Sequence, residues 1–503
     1  MQALITPRAV RDMERRYFDE TGTPSIDLME RAAQALAGML LRRYGPDRRV
    51  FIACGPGGNG GDGYALARLY AAAGGRCVLF PAVPPTTPDA VENRRRAIEL
   101  GIEERTEKEV SEVPDLWVDA LYGTGLSRAP EGASAALIER MNADRARGSR
   151  TVAVDIPSGL DGAAGTAFSP CVRADVTCTF QFAKTGHWLA DGLDACGEIE
   201  VADIGIPAEF HPRDMAGLMT AEDVRRALPP KPRNAHKGMN GRLLIVAGSV
   251  GMAGAAALCA KAALRSGAGL VTVACPASVL PILQTLAPCA MGLPLPERDG
   301  AIAPEAVGVL HPALMGMDAI ACGCGLSRRA ASEVLELLLT CERPLLLDAD
   351  ALNLIAASDR LRSMLRPHHL LTPHPGEAAR LLGRRPADPI GDAFALRALG
   401  CQALLKGATT VVPVGEQAVL SASGGCGMAK GGSGDCLSGL IGGLMVQLAA
   451  KGSLSGERLA LCAALGSEIH GHAGELAQAR FGPRGMCAGD LVDALPQALR
   501  DYE

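Results

Sequence analysis

Glycine clusters set between an apolar run and a helix-forming segment occur in both halves of the 503-residue chain, and they constrain its fold more than any other feature. In the first half the run Val50 to Cys54 ends in GPGGNGGDG, which leads into the helical pattern YALARLYAAAGG. In the second half GRLLIVAGSVGMAGAAALC has the same order, and KGGSGDCLSGLIGGL, from Lys430, joins another glycine loop to an apolar helix. Free backbone N–H groups at a helix start attract anions. Asp435, in GSGD, sets a base beside such a loop. For GSGD taken alone, a glycine turn capped by an aspartate is the plain alternative.

Strand, glycine loop and helix in this order predict α/β layers with mainly parallel sheets covered on both faces. The β-rich runs RRVFIAC, RCVLFPAV, DLWVDALYG, RTVAVDIPSG and ADVTCTFQF alternate with helical stretches, after a helical pattern from Met1 to about Leu40 that has a start signal at Thr23, Pro24 and Ser25. Ligands bind beyond the carboxyl ends of such strands, where GPGGNGGDG, DALYGTGL and DIPSGLDG begin. Around residues 201 to 238 the periodicity fades and Pro207, Pro212, Pro229, Pro230 and Pro232 accumulate. The boundary is placed there, between about Arg213 and Ala221, giving domains 1–213 and 221–503. Further strands are expected at DAIACG, RPLLLDAD, HHLLTPHPG, QALLKGATTVVP and EQAVLSASG, followed by two terminal helices, one through the Asp435 loop and one near Glu457 to Gln478.

The length suits two or three domains, and 48% hydrophobic residues suffice for packed cores. A net charge of −5 without clustering offers no face for nucleic acid or an anionic membrane. Arginines 8, 11, 15 and 16 among acids leave no secretory signal, and the apolar stretch Leu437 to Ala450 is too short to span a bilayer, so a soluble cytoplasmic protein is expected. The 16 cysteines form no CxxC pair, so reduced thiols are expected. His470 and His472 point to different faces of their predicted helix and are not read as metal ligands.

Several residues stand out for chemistry. Lys406, Gly407, Ala408, Thr409 and Thr410 follow a strand, although both threonines suit a strand themselves. His374 is stiffened between Pro373 and Pro375, as a presented side chain or a surface turn. Asp155 precedes Ile156-Pro157 and alternatively caps a turn, while Asn59 and Asp62 alternatively occupy positive-φ positions among glycines.

HKGMNGRLLIVAGSVGMAGAA, CGCGLS, LLLDADALN, LTPHPGEAARLL, KGATTVV and KGGSGDCLSG together resemble the dehydratase domain of the NAD(P)H-hydrate repair enzymes, over Ala235 to Leu499. TGTPSIDLMERAA, GGNGGDG, DALYGTGL, VDIPSGLDG and TFQFAKTGHW resemble the epimerase domain of the same family, over about Leu4 to Pro207. The resemblance implies a Rossmann-like three-layer domain followed by a ribokinase-like α/β domain. It also implies epimerisation at C6 of hydrated NADH and NADPH by the first, and ADP-dependent dehydration of the S epimer by the second.

Carried over residue by residue, the family's substrate contacts in the first domain fall on Gly58, Asn59, Gly60, Gly61 and Asp62, on Gly123, Thr124, Gly125 and Leu126, and on Ser127, Arg128 and Ala129. Asp155 lies close to the reacting carbon and Asp435 is the second domain's base; both count as catalytic and as substrate contacts. Further substrate contacts fall on Ala255, Gly325 and His374, and the nucleotide contacts on Lys406 to Thr410 and Gly434. The implied cofactors are K+ held by Asn59, Asp119 and Ser158, and Mg2+ with ADP. The family has two asparagines before GGDG where this chain has Gly58 then Asn59, which leaves only backbone contacts at Gly58. A homo-oligomer is expected. Two other readings stay open: a ribokinase-like vitamin or sugar kinase, and an amino-terminal module that only binds nucleotide or a partner.

Overall fold

The structure, a computed structural model, describes residues 1–109, 111–228, 230–234 and 236–503. Pro229, one of the boundary prolines, and Ala235, where the second resemblance begins, lie outside the described residues. Contacts divide the chain into an amino-terminal unit, Ala3–Ala216, and a carboxy-terminal unit, Gly217–Glu503 with Met1–Gln2. The Met1 ammonium pairs with Asp223 at 2.7 Å, which places the first residues with the carboxy-terminal unit.

The amino-terminal unit is built on a six-stranded, all-parallel sheet in the order Arg76–Pro81, Arg49–Cys54, Leu116–Ala120, Arg150–Val154, Val176–Phe180, Glu198–Ala202. Successive strand residues face opposite ways, so the apolar runs feed two cores. Val50, Ile52, Cys54 and Val118 pack under Leu36, Leu40 and Tyr64 of the helices Ser25–Tyr44 and Gly58–Ala72. Phe51, Ala53 and Trp117 pack under Leu137, Ile138 and Met141 of Gly132–Ala146. Strand order reverses beside Arg49–Cys54, which opens a crevice between the loops after Cys54 and after Ala120.

The carboxy-terminal unit carries a seven-stranded parallel sheet in the order Met291–Leu295, Leu270–Pro276, Arg242–Val246, Ala319–Cys322, Leu345–Leu347, His369–Leu371, Gln402–Ala403. The alanine-rich helix Ala253–Arg265, made of the best helix formers, packs against Ser433–Ala449. Gly439 permits that approach, since a Cβ there would lie 2.0 Å from the Cys259 carbonyl oxygen.

Four expectations change. The amino terminus is not wholly helical: Gln2–Ile5 is a strand, and Leu4 and Ile5 pair with Ala183 and Lys184. QALLKGATTVVP is two strands, because the chain leaves the parallel sheet after Ala403 and turns into an antiparallel hairpin, Thr410–Val414 with Gln417–Ser421. The boundary stretch holds a short strand, Ala216–Leu218, in which Gly217 and Leu218 pair with Val419 and Leu420. Three helices end the chain, the third being Ala488–Arg500, and Glu457–Gly485 breaks its helical backbone at Gly482, whose φ is 71°. No helix among the described residues is long and apolar enough to cross a membrane.

Candidate active sites

In the amino-terminal unit a cavity of about 450 Å³ lies beyond the carboxyl ends of the sheet. Gly58, Asn59 and Asp62 line it from the start of the helix Gly58–Ala72, Gly123 to Leu126 from the next loop, and Asp155 from the end of Arg150–Val154. Asn59 and Asp62 are helical and neither has a positive φ, so the alternative of glycine-like turn positions falls away. Gly60 and Gly61 do not line the cavity. Their missing side chains make room for packing: a Cβ at Gly60 would meet the Gly55 carbonyl oxygen at 1.9 Å, and one at Gly61 the Met29 side chain at 2.7 Å. Ser127, Arg128 and Ala129 are likewise absent from the cavity lining.

Asp155 holds a left-handed backbone, φ 66°, and among the described residues its carboxylate accepts from side chains rather than capping a turn. It accepts from Thr179 Oγ1 at 2.9 Å and forms an ion pair with the Lys184 ammonium, which also donates to Thr179 Oγ1 at 2.8 Å. Burial pushes the Asp155 carboxyl up, but the Lys184 charge and these hydrogen bonds outweigh it and hold it below its ordinary value. His187 accepts from the Lys184 backbone N–H through Nδ1 at 3.1 Å, so Nε2 carries the proton and donates to the Asp155 carbonyl at 2.9 Å. Burial, with Lys184 beside it, lowers His187 to about 4 and keeps it neutral.

Asp119 and Ser158 lie behind the Leu121–Gly123 turn. Asp119 accepts from Ser158 Oγ at 2.6 Å, Ser158 N at 2.7 Å and Leu121 N at 3.2 Å; Tyr122 N donates to Ser158 Oγ at 2.8 Å. Asn59 reaches the same turn, since a Cβ on Gly123 would lie 3.2 Å from Asn59 Oδ1, and the buried Asn59 Nδ2 has no hydrogen-bond partner among the described residues. The oxygens of Asn59, Asp119 and Ser158, without thiolate or imidazole, are a donor set of the kind that suits a hard cation, with Asn59 Oδ1 rather than the unpartnered Nδ2 as the ligand atom.

The carboxy-terminal site takes one contribution from the end of each of five neighbouring strands. The loop after Arg242–Val246 leads to Ala255, Gly325 follows Ala319–Cys322, Asp348 follows Leu345–Leu347, His374 follows His369–Leu371 and Lys406 follows Gln402–Ala403. Gly325, φ 61°, abuts Ala255, whose Cβ would lie 3.0 Å from one placed on Gly325. Lys406 Nζ pairs with Asp348 Oδ1 at 2.7 Å and lies 4.0 Å from Glu377; Ser438 Oγ donates to Asp348 Oδ2 at 2.7 Å. Gly434 joins this group, since a Cβ there would lie 3.4 Å from Lys406 Nζ. Burial works against the Lys406 ammonium, but Asp348 and Glu377 hold it above its ordinary value. Exposed His374 caps the helix Pro375–Leu382, accepting from Gly376 N at 3.0 Å, with Nε2 3.5 Å from Glu377. Gly407 and Ala408 are exposed, whereas Thr409 and Thr410 are buried and Thr410 opens a strand.

Asp435 stands in the first turn of Ser433–Ala449, which begins at Gly432 with φ 96°. Burial pushes its carboxyl up to about 6; a hydrogen bond with Cys324 opposes the shift and Asp348 adds to it. His470 is buried, while the His472 ring lies 2.8 Å from Asp501. Asp348, Glu377, Ser438, Lys184 and His187 carry these networks and went unassigned in the sequence. Asp348 was open to detection as the first polar residue after LLL, and Lys184 as the lone cation in FQFAKTGHW.

Two family models match the chain: NAD(P)H-hydrate dehydratase over residues 243–497, and YjeF-related protein N-terminus over residues 25–186. The bifunctional NAD(P)H-hydrate repair enzyme of Moorella thermoacetica is 38% identical over 99% of this chain and 97% of its own. The chain belongs to that family. The corresponding repair enzyme of Escherichia coli K12 is 35% identical over 97% of this chain and 92% of its own. A crystal structure of the ADP/ATP-dependent NAD(P)H-hydrate dehydratase of Bacillus subtilis, co-crystallised with ATP and Mg2+, is 28% identical with a TM-score of 0.45, and covers 57% of this chain and 99% of that one. Relatives matched along the whole chain are repair enzymes, which disfavours the vitamin or sugar kinase and the purely binding module.

Proposed function

We propose that the amino-terminal unit inverts C6 of hydrated NADH and NADPH, and that the carboxy-terminal unit dehydrates the S epimer with ADP, in the cytoplasm. The observation that carries this reading is an aspartate suited to proton transfer at the strand ends of each sheet, Asp155 in one and Asp435 in the other. In the first unit the ring nitrogen expels the C6 oxygen, and Asp155, kept ionised by Lys184, takes a proton from the water that returns. Gly58, Asn59, Asp62 and Gly123 to Leu126 enclose the ring, with Gly60, Gly61 and Ser127 to Ala129 shaping the loops. The oxygen donors of Asn59, Asp119 and Ser158 would hold K+, which orients the hydroxyl when bound.

In the second unit hydroxide is too poor a leaving group for direct loss. Asp435 takes the proton of the C6 hydroxyl as phosphate is transferred to it. The N–H groups around Gly434 receive that phosphate, and NAD(P)H is restored as the C6–O bond breaks with release of inorganic phosphate and C5 gives its proton to solvent. Lys406 to Thr410 hold the nucleotide, Ala255, Gly325 and His374 hold the substrate, and Mg2+ would neutralise the nucleotide phosphates. Mixed hydrate epimers incubated with ADP or ATP should regain reduced-nicotinamide absorbance completely. Accumulation of a stable phosphorylated product, or recovery that stops at one epimer, would sink the reading.

A further inference from the structure

The cavity of the amino-terminal unit has a wall that no motif marked. The helix Pro7–Thr21 is started by Thr6, whose hydroxyl accepts from Ala9 N at 3.3 Å, and is stopped by Gly22 at φ 68°. It turns Val10, Met13, Glu14 and Phe18 toward the cavity, the spacing of one helical face. Beside them the second helix contributes Leu28, Met29 and Ala32. A carboxyl group among these apolar side chains is costly when it is left unpaired. Glu14 is half-buried and has no hydrogen-bond or ion-pair partner among the described residues.

The charged groups that act on Glu14 or share its cavity come from five elements. Arg11 lies on its own helix, Asp155 at a strand end and Lys184 beyond it, while Asp62, on Gly58–Ala72, and Asp89, on the helix Pro88–Glu99, line the same cavity. Burial and the Asp155 charge push the Glu14 carboxyl up to about 7, with Lys184 and Arg11 opposing. Near neutrality one cavity thus holds an ionised carboxylate, Asp155, and two carboxyl groups pushed toward the acid form, Glu14 on the first helix and Asp62, raised mainly by burial, on Gly58–Ala72. Environments that drive two such groups apart assign base and acid.

We infer that Glu14 is a second catalytic residue of the inversion: it protonates the departing C6 oxygen while Asp155 accepts the proton of the arriving water. This rests on the epimerase reading above. The nitrogen lone pair forms the C=N bond as the C6–O bond breaks, and the oxygen leaves as water with the Glu14 proton. A water then adds to C6 from the other face, the lone pair returns to nitrogen, and the extra proton passes to Asp155. Atoms balance, and the net transfer from Glu14 to Asp155 is reset by the reverse turnover or by exchange with solvent.

The test follows interconversion of separated R and S hydrates by the full-length chain without nucleotide, as a function of pH. The acid must be protonated, so the wild-type rate should fall as pH rises through about 7. Glu14→Gln should lose at least ~10²-fold and show no such fall. Glu14→Asp should keep the fall at a reduced rate, and it decides the matter if Glu14→Gln unfolds; a flat profile in Glu14→Asp overturns the inference. A Glu14→Gln enzyme with wild-type rate or the same alkaline fall overturns the role of Glu14 and leaves the epimerase reading standing. A wild-type chain that interconverts nothing overturns both.

Discussion

Lys184 and Asp155 form an ion pair in which 1% of the lysine side chain and 13% of the aspartate side chain remain exposed. Breaking such a pair by removing one partner leaves a buried charge uncompensated, at a cost of about 3–5 kcal/mol. Lys184→Met should therefore destabilise the amino-terminal unit in denaturant titration. It should also move the acidic limb of the epimerisation profile to higher pH, because the Asp155 carboxyl loses the charge that holds it down. In the wild type the depressed Asp155 contributes stability that is full above its unfolded value of about 3.9 and is lost as pH falls through its lower folded value. Unchanged denaturation and an unmoved limb would show that the pair does neither.

Asp435→Asn should lower nucleotide-driven dehydration by at least ~10²-fold while epimerisation persists, since the two carboxyl groups belong to separate units. In the wild type, dehydration should rise with pH through about 6, as the base becomes ionised. Dehydration that falls over that range would assign Asp435 the opposite role.

Asp119→Ala should slow epimer interconversion and abolish its dependence on added potassium, without touching dehydration of the S hydrate. Asp155→Ala should remove inversion while potassium still raises thermal stability. A potassium-independent wild type would remove the cation from the reading.

Fragments cut between Ala216 and Gly217 should each fold and keep one reaction, whereas a cut before Ala221 should weaken the second fragment. The later cut removes the paired residues Gly217 and Leu218 and buried Met219. Losing two large buried apolar side chains costs roughly 1.5–3 kcal/mol each. Equal melting temperatures for fragments starting at Gly217 and at Ala221 would show that this strand adds nothing.

Gly439→Ala should destabilise the carboxy-terminal unit, because its Cβ would lie 2.0 Å from the Cys259 carbonyl oxygen and backbone cannot swing aside as a side chain can. Overpacking of this kind costs typically ~1–3 kcal/mol. Calorimetry showing an unshifted transition would mean that the two helices part without penalty.

Much of the site was readable because it sits where strands stop. The apolar runs ending at Cys54, Ala120 and Val154 announced their loops, and the cavity forms at those ends. QALLKGATTVVP misled because an unbroken β-rich composition does not reveal where a strand changes sheets. Glu14 was invisible for a different reason: on an amphipathic helix a half-buried glutamate reads like any boundary residue until the opposite wall is known.

Local order of residue types alone determined two α/β series with glycine loops at their strand ends, since periodicity and turn chemistry act between near neighbours. The same order carried the family motifs around Asp155 and Asp435. Only the tertiary structure decided which side chains share a cavity and which carboxyl groups are ionised in it. Glu14 faces Asp155 from a distant helix, Lys184 neutralises Asp155 from a later strand, and Asp348 ties Lys406 to Ser438 across three elements. Desolvation and Coulomb attraction depend on burial and distance through space, which spacing along the chain does not encode.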